Sequence, residues 1–350
     1  MYRTKFGLNA MDKWAGKFNK TMKYVGYLGI AIGFIGMIFL SFTLIQNLYN
    51  LFITPEAAPG VGLVLPFKAK GVFYVPFFYW IISIFIIALV HEFAHGIIAR
   101  AHGIKVKSSG FAFLAILVPI IPAAFVEPDE KILRKRPYKQ QLSVFAAGPL
   151  ANIILAFAVL GLMIPLVNGI VEKEGVEITG FIESENKFPA EEAGIIAGEV
   201  VQEIDGLPIS TTKNFIEIME GKRPGTSIEL KTNRTSYNIV LAENPEDKSK
   251  GYLGVYVTQS SKIKDSLKEK YGKYLLAVVM WVIGLFNWLI ILNLGIGLFN
   301  LVPIGPLDGG RMLQLVLHKV FDKKKGDKVW YYISMTFLMI VLANIGFAFI

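Results

Sequence analysis

The hydrophobic pattern of the chain is dominated by long tracts without charged residues. Each tract is near or above the ~20 residues that a helix needs to cross a ~30 Å hydrocarbon core. The pattern therefore predicts a polytopic α-helical membrane protein with about five spans. The tracts cover residues 24–50, 71–90, 141–171, 274–307 and 329–350, and the spans are predicted at 24–50, 71–100, 141–171, 274–302 and 329–350.

The segments before the first span and after the second are apolar in part. The basic lead at 1–23 mixes basic and large apolar side chains, which indicates an interfacial amphipathic segment or a disordered lead. Segment 101–140 contains a second apolar run, 111–126, which is interrupted by Pro119 and Pro122. The prolines argue against a span, so we predict a re-entrant or strand-like element, with an interfacial loop as the alternative.

The region at 172–262 has the composition of a soluble α+β domain, with four short β-rich runs and a helical stretch at 212–219. Residues 189–195 and 198–206 resemble the PDZ pattern of a short helix, a tight turn, a strand and a hairpin turn. The strand and loop that usually open a PDZ domain come last, at 251–255. The resemblance therefore predicts an inserted, circularly permuted PDZ domain.

A PDZ groove adds an extended peptide to a sheet edge and captures its C-terminal carboxylate with backbone N–H groups. The resemblance implies a carboxylate loop formed by Tyr252, Leu253, Gly254 and Val255. A peptide C-terminus is then one partner of this domain. The alternative is a steric gate that binds no peptide, and the sequence does not decide between the two.

Composition narrows the partners and the possible metal ligands. The chain has 350 residues, 53% of them hydrophobic, and a mean hydropathy of +0.50. It contains no cysteine, so any transition metal must be held by nitrogen and oxygen. The net charge of +9 is expected in a membrane protein with basic cytoplasmic loops. We therefore expect the lipid bilayer as a partner, and no nucleic acid.

The basic residues of the loops predict the orientation. The lead carries six, segment 100–140 carries eight and segment 303–328 carries six, whereas the loop at 49–71 carries two. This alternation predicts a multi-pass protein of the cell membrane with a cytoplasmic N-terminus. The domain at 172–262 is then outside, and the cytoplasmic end of the second span carries residues 91–95.

The HEFAH stretch places His91, Glu92 and His95 in an otherwise apolar span. Each such residue costs ~2–3 kcal/mol at the bilayer centre, so a functional site is the default interpretation. Two histidines four residues apart share one face of a helix and can reach one metal ion. Glu92 is angled away, which suits a base. A catalytic zinc ion usually has three protein ligands and an open position.

A third ligand is predicted at Asp308, the first ionisable residue after the tract at 274–307. Prolines and glycines around it break the helix, and the fourth span ends on the same side as HEFAH. The alternative role for Asp308 is a helix N-cap or an ion pair with Arg311. Weaker ligand candidates lie in the polar loop: His102, Glu127 and Asp129.

The third span opens with small residues, among them Ala146, Ala147 and Gly148, which let helices approach closely. Asn152 follows them and can hydrogen-bond across such a contact. Helix packing is the first interpretation of this stretch. A direct role of Asn152 at the site is the second.

With HEFAH, the LDGG of 307–310 and an intervening PDZ domain, the chain resembles the site-2 protease family of intramembrane zinc metalloproteases over roughly residues 71–310. The resemblance implies a substrate that is a transmembrane helix of a membrane protein, commonly one already trimmed by another protease. The segment at 329–350 has no evident counterpart in the catalytic machinery. The implied roles are zinc binding, one ion per chain, by His91, His95 and Asp308, general-base catalysis by Glu92, and positioning of the scissile carbonyl by Asn300.

Two other functions are compatible with single features. A metal-ion transporter would need ionisable residues along a path across the membrane, whereas here they cluster toward one side. A catalytically inactive PDZ membrane adaptor would have little reason to keep Glu92 and Asp308.

A helical substrate must also unwind before cleavage, and we hypothesise that an edge in the 111–126 run holds it extended.

Overall fold

The computed structural model describes residues 2–5, 7–54, 58–115, 120–183 and 187–349. The chain divides into two compact units, Met1–Met163 with Met280–Ile350, and Ile164–Val279. The elements in chain order are β1 (Tyr2–Thr4), α1 (Leu8–Lys17), α2 (Asn19–Ile53), β2 (Leu63–Leu65), β3 (Val72–Tyr74), α3 (Phe77–Ala101), β4 (Val106–Ala115), β5 (Ile120–Pro128), α4 (Glu130–Leu133), α5 (Tyr138–Ile170), β6 (Val171–Phe181), α6 (Pro189–Glu192), β7 (Val200–Ile204), β8 (Leu207–Pro208), α7 (Thr212–Glu220), β9 (Ser227–Thr232), β10 (Ser236–Val240), β11 (Ala242–Glu243), β12 (Gly251–Tyr252), β13 (Val255–Ile263), α8 (Asp265–Lys270), α9 (Lys273–Phe299), α10 (Asp308–Val320) and α11 (Lys323–Ala348).

Five helices in the described part of the chain are long and apolar enough to cross a membrane: α2, α3, α5, α9 and α11. Large apolar side chains on these helices, such as Phe39, Phe42 and Phe157, are exposed. Such a surface is suited to lipid tails rather than to water. The predicted polytopic helical architecture is confirmed.

The helix ends differ from the predicted spans for local reasons. Helix α3 begins at Phe77 rather than 71, because Pro76 precedes it and β3 pairs with β2 in a parallel ladder. Helix α11 begins at Lys323 rather than 329, because the Asp322 side chain caps it by accepting from the Lys325 N–H at 3.0 Å. The polar segment predicted at 303–328 contains helix α10.

Residues 8–17 of the basic lead form helix α1, so the disordered alternative is wrong for these residues. Leu8, Met11 and Ala15 bury one stripe of the helix. Asp12 on α1 forms an ion pair with Arg100 of α3, with 2.8 Å between Oδ1 and Nη1. The lead therefore packs against the helix that carries HEFAH.

Segment 101–140 contains a β-hairpin of β4 and β5, and β1 completes a three-stranded sheet in the order β1-β4-β5. Gly110 on β4 pairs with Phe125 on one side and with Arg3 of β1 on the other. The apolar run at 111–126 is strand-like where it is described, and Pro119 lies outside the described residues. Strand β4 is thus central, paired with β5 along most of its length and with β1 at 109–111.

Glycines let helix α2 pack closely inside the first unit. Gly26, Gly29 and Gly33 are buried. A Cβ atom on Gly29 would lie 3.4 Å from that of Ala146 on α5, and one on Gly33 would lie 2.8 Å from Cε of Met312 on α10. Small residues on α2 and α5 therefore bring these helices together, as the packing interpretation of the third span predicted.

The second unit is an α+β domain built on a six-stranded sheet. Its main path is β10-β9-β7-β6-β13, with β8 paired to β7. The predicted hairpin turn is formed by Asp205 and Gly206, both with positive φ. Strand β13 follows the loop at 251–255 and pairs with β6 at the sheet edge, with Val255 opposite Phe181. The inserted domain thus has the permuted order of elements that the PDZ pattern predicted.

Candidate metal centre and active site

Three predicted ligands meet at one point of the first unit. Nε2 of His91 lies 3.0 Å from Oδ2 of Asp308, and Nε2 of His95 lies 3.4 Å from the same oxygen. The donor atoms of the three residues all lie within 4.8 Å of one another, and the residues are buried. The structure brings together two side chains of α3 and one from the start of α10. Their role as metal ligands stays a prediction.

Asp308 reaches this point because the chain between α9 and α10 folds into tight turns. The Gly309 N–H donates to the carbonyl of Asn300 at 2.8 Å. A Cβ atom on Gly309 or Gly310 would collide with the backbone of Leu301 or Ile304. The two glycines are therefore required for this close approach, and they set the first turn of α10 against the loop.

The alternative roles of Asp308 do not hold in the structure. The N-cap position of α10 is Leu307, which makes no side-chain cap. The guanidinium of Arg311 lies over the ring of Phe145 at 5.5 Å, while the Asp308 carboxylate faces the two histidines. Asp308 is therefore oriented toward HEFAH.

Helix α5 contacts the outer sides of both imidazoles. Nδ1 of His95 lies 2.7 Å from the carbonyl oxygen of Val144, and Nδ1 of His91 lies 3.1 Å from Nδ2 of Asn152. Gly148 is halfway between, and a Cβ atom there would collide with Nε2 of both histidines. These three positions on α5 are four residues apart and share one helix face. That face fixes the orientation of both rings.

This donor set fits a zinc ion. Zinc takes histidine nitrogen and carboxylate oxygen, and ligating histidines donate their other N–H to a carbonyl or carboxylate. The contact with Val144 supplies that acceptor for His95. At His91 the amide oxygen of Asn152 is buried and has no hydrogen-bond partner among the described residues. The amide that faces this ring nitrogen through Nδ2 thus has an unused acceptor oxygen.

Glu92 is adjacent in sequence to His91 but is not part of the cluster of three predicted ligands. Its Oε2 accepts a hydrogen bond from the Val126 N–H of β5 at 2.9 Å. Glu92 and Val126 both line a cavity of about 1290 Å³ that also contains His91, His95 and Asp308. The carboxylate is placed beside the predicted metal position and beside the last residues of a strand.

Asn300 lines the same cavity. Its Nδ2 donates to the carbonyl of Ile296 in the preceding turn of α9 at 2.9 Å. The side chain is thereby held against its own helix. Its predicted contact with a substrate carbonyl stays a prediction.

The weaker ligand candidates are not part of this cluster. His102 contacts the Ser143 hydroxyl at 2.8 Å, and burial together with the charges of Lys23 and Arg136 lowers the pKa of His102 to about 4. Glu127 accepts from Ser108, and Asp129 caps α4. These residues have structural partners of their own.

The proposed carboxylate loop of the PDZ domain is held by backbone contacts. Leu253 is buried and its carbonyl accepts from the Ala190 N–H at 3.2 Å. Gly254 has a φ of 76°, and a Cβ atom there would collide with Phe188. Tyr252 and Val255 flank this turn. The geometry is that of a fixed loop, and peptide capture by it stays a prediction.

The sequence favoured helix packing for Gly148 and Asn152, with a direct role of Asn152 at the site as the second interpretation, and it did not predict that either residue contacts the two histidines. The signal was present as a repeat of four, since Val144, Gly148 and Asn152 have the same spacing as His91 and His95. Such a repeat shows that the residues share a face. It does not show which helix that face contacts.

Comparison with known proteins identifies the family. Residues 79–342 match peptidase family M50. An uncharacterized protein of Methanocaldococcus jannaschii, MJ0971, is 29% identical over 312 residues, which cover 88% of this chain and 74% of that protein. The regulator of sigma-W protease RasP of Bacillus subtilis is 24% identical, over 62% of this chain and 60% of RasP. The zinc metalloprotease RasP of Shouchella clausii is 26% identical, over 59% of each chain.

Among solved structures, a PDZ domain of an SdrC-like protein from Listeria monocytogenes is similar to part of the chain. The sequence identity is 20% and the TM-score is 0.21, over 27% of this chain and 92% of that domain. The family match spans more than half of the chain and includes both halves of the candidate site. The chain is therefore a multi-pass membrane protein that belongs to peptidase family M50, the zinc metalloprotease family of the site-2 proteases.

Proposed function

We propose that the chain is an intramembrane zinc metalloendopeptidase that cuts peptide bonds within transmembrane helices of membrane-anchored substrates, as in regulated intramembrane proteolysis. The observation that carries this proposal is the convergence of His91, His95 and Asp308 in a cavity that also contains Glu92. Helices α3 and α5, which supply both histidines and their contacts, are apolar enough to span a membrane. The substrate bond must therefore reach a site within the helical bundle.

The residues divide the chemistry between them. His91, His95 and Asp308 would hold one zinc ion, which when bound supplies Lewis-acid polarisation of water and of the substrate carbonyl. Glu92 takes a proton from the attacking water and delivers it to the leaving amine. Asn300, on the wall of the same cavity, orients the scissile carbonyl.

An unwound substrate can add to the sheet at strand β5. Strand β4 is paired on both sides, whereas β5 has one strand neighbour among the described residues. The Val126 N–H points away from β4, toward Glu92. Peptide groups alternate in direction along a strand, so the N–H of Ala124 points to the same edge of β5, the one away from β4. A peptide held there runs directly past the catalytic carboxylate.

Replacing Ala124 with proline tests this edge. Proline removes one N–H on the side of β5 away from β4 and leaves the ladder to β4 intact. We expect cleavage to fall about 5- to 10-fold, the effect of one lost hydrogen bond of ~1 kcal/mol or slightly more. The matched variant Ala124→Val keeps the N–H and should cleave as the parent does. Equal cleavage by the proline and valine variants would exclude strand addition at this position.

Metal removal tests the function itself. Protein reconstituted with a membrane-anchored helical substrate should lose cleavage when a chelator removes zinc. Cleavage should return when zinc is restored, because the attacking water needs a Lewis acid to polarise it. The His91→Ala variant should not be rescued. Metal flux into the vesicles without cleavage would identify a transporter, and substrate binding without cleavage would identify an adaptor.

The partners and the orientation follow from the same proposal. The substrate is a membrane protein with a transmembrane helix, and the N-terminus and the active-site end of α3 face the cytoplasm. The inserted PDZ domain is outside, where it captures a peptide C-terminus or restricts access as a steric gate. The basic lead and the basic loops around α3 and α10 support this orientation.

A further inference from the structure

We propose that Asn152 is a positioning residue for the zinc centre. Its amide oxygen accepts a hydrogen bond from the Nδ1–H of His91, which leaves Nε2 of His91 free to bind the metal. The inference rests on the proposed function, because it concerns the zinc-bound form of the site. It assigns a role to a residue of α5 that supplies no metal ligand.

Each of the two histidines needs a hydrogen-bond acceptor at Nδ1 if it is to bind metal through Nε2. A neutral imidazole carries one proton, so a histidine that binds metal through Nε2 must carry that proton on Nδ1. The Val144 carbonyl, 2.7 Å from Nδ1 of His95, can only accept, so it selects this form of His95. His91 has the same need, and the group that faces its Nδ1 is Asn152.

An amide can meet that need in only one of its two orientations. With Nδ2 facing the ring at 3.1 Å, the amide donates to Nδ1, and the proton of His91 moves to Nε2, where it blocks the metal. In this orientation the amide oxygen is buried and has no hydrogen-bond partner among the described residues. Rotation of the amide by a half turn places the oxygen against Nδ1–H. His91 could bind zinc through Nε2 only with the Asn152 amide in that orientation.

The surroundings hold Asn152 in place during this rotation. Asn152 is fully buried. A Cβ atom added to Gly297 of α9 would lie only 2.9 Å from the Cβ of Asn152. The backbone and Cβ therefore cannot withdraw from His91, and only the amide plane is free to turn. A neutral amide also adds no charge to a site that already contains the carboxylates of Glu92 and Asp308.

Zinc affinity of the full-length protein measures this role without reference to cleavage. Zinc is titrated in competition with a chelating indicator for the parent, Asn152→Leu and Asn152→Asp. We expect the leucine variant to bind zinc about 10- to 100-fold more weakly, the range seen for lost outer-shell partners of metal-bound histidine. The aspartate variant keeps an acceptor and should bind within about threefold of the parent.

A matched control separates this effect from the loss of any buried amide. Asn293 on α9 is also fully buried, its amide oxygen has no described partner, and its Nδ2 donates to Leu289 at 2.8 Å. Asn293→Leu should leave zinc affinity unchanged. If Asn152→Leu does not fold, Asn152→Ala removes the same acceptor and takes its place.

Two results would overturn the inference alone: parent-like zinc affinity in the variants without an acceptor, or equal losses in the aspartate and leucine variants. A parent that binds zinc no better than His91→Ala would instead overturn the zinc centre, and this inference with it. The failure of the positioning role and the failure of the proposed function are thus distinguishable in one titration series.

Discussion

Replacing Glu92 with glutamine is expected to reduce cleavage of a transmembrane substrate by about 10³-fold, within the range that general acid–base catalysis contributes. Glutamine has nearly the same shape, and its amide oxygen can still accept from the Val126 N–H that Glu92 now contacts at 2.9 Å. What it loses is the ability to take a proton. The structure of the site and its metal should therefore remain while the chemistry stops.

The experiment must measure both the zinc content of each variant and its rate of substrate cleavage. Glu92→Gln should retain zinc at the level of the parent, because Glu92 is not among the three residues predicted to bind it. Asp308→Ala serves as the contrasting variant, and it should lose zinc and cleavage together. Parent-like cleavage by the glutamine variant would remove Glu92 from its assigned role, and loss of its zinc would make it a ligand instead.

Replacing Gly148 with alanine is expected to abolish zinc binding, with a loss of affinity of at least about 100-fold, the upper end of what outer-shell changes produce. A single methyl group there would overlap Nε2 of both His91 and His95, the two atoms predicted to hold the metal. Helix α5 is fixed nearby by small-residue packing against α2, so it cannot move away to make room.

Gly161 provides a matched control on the same helix. A Cβ atom at Gly161 would meet no described heavy atom within 4 Å beyond its own helix turn. Gly161→Ala should therefore keep full zinc binding and cleavage, and the helix itself gains about 0.5–1 kcal/mol from alanine. Zinc retention by Gly148→Ala would show that the imidazoles lie farther from α5 than the structure places them.

The residues of the site that could be predicted from the sequence are those whose ionisable side chains cost much free energy to place in the membrane. His91, Glu92 and His95 stand out because ionisable side chains in an apolar span are expensive, and Asp308 because it ends such a tract. That cost is independent of the details of packing. The spans were predictable for a related reason, since their length is set by the bilayer.

The remaining features depend on contacts that no single segment encodes. Gly148 is indistinguishable in the sequence from the packing glycines of α2, because its neighbours come from another helix. The start of α3 was predicted at 71 but lies at Phe77, because residues 72–74 form strand β3, which pairs with β2 of the preceding loop. The 111–126 run was predicted as re-entrant or strand-like, and its strand form comes from pairing between β4 and β5, with Phe111 alone of this run also opposite a residue of β1.

The ligands of the proposed zinc ion are separated along the chain by 217 residues between His91 and Asp308. During synthesis, HEFAH emerges long before its third ligand, with a whole folded domain in between. A nascent chain therefore has two histidines but no complete centre until α10 has been made and has reached α3. Under the proposed function, a partly synthesised chain therefore lacks the third ligand, and cleavage begins only once the helical bundle is complete.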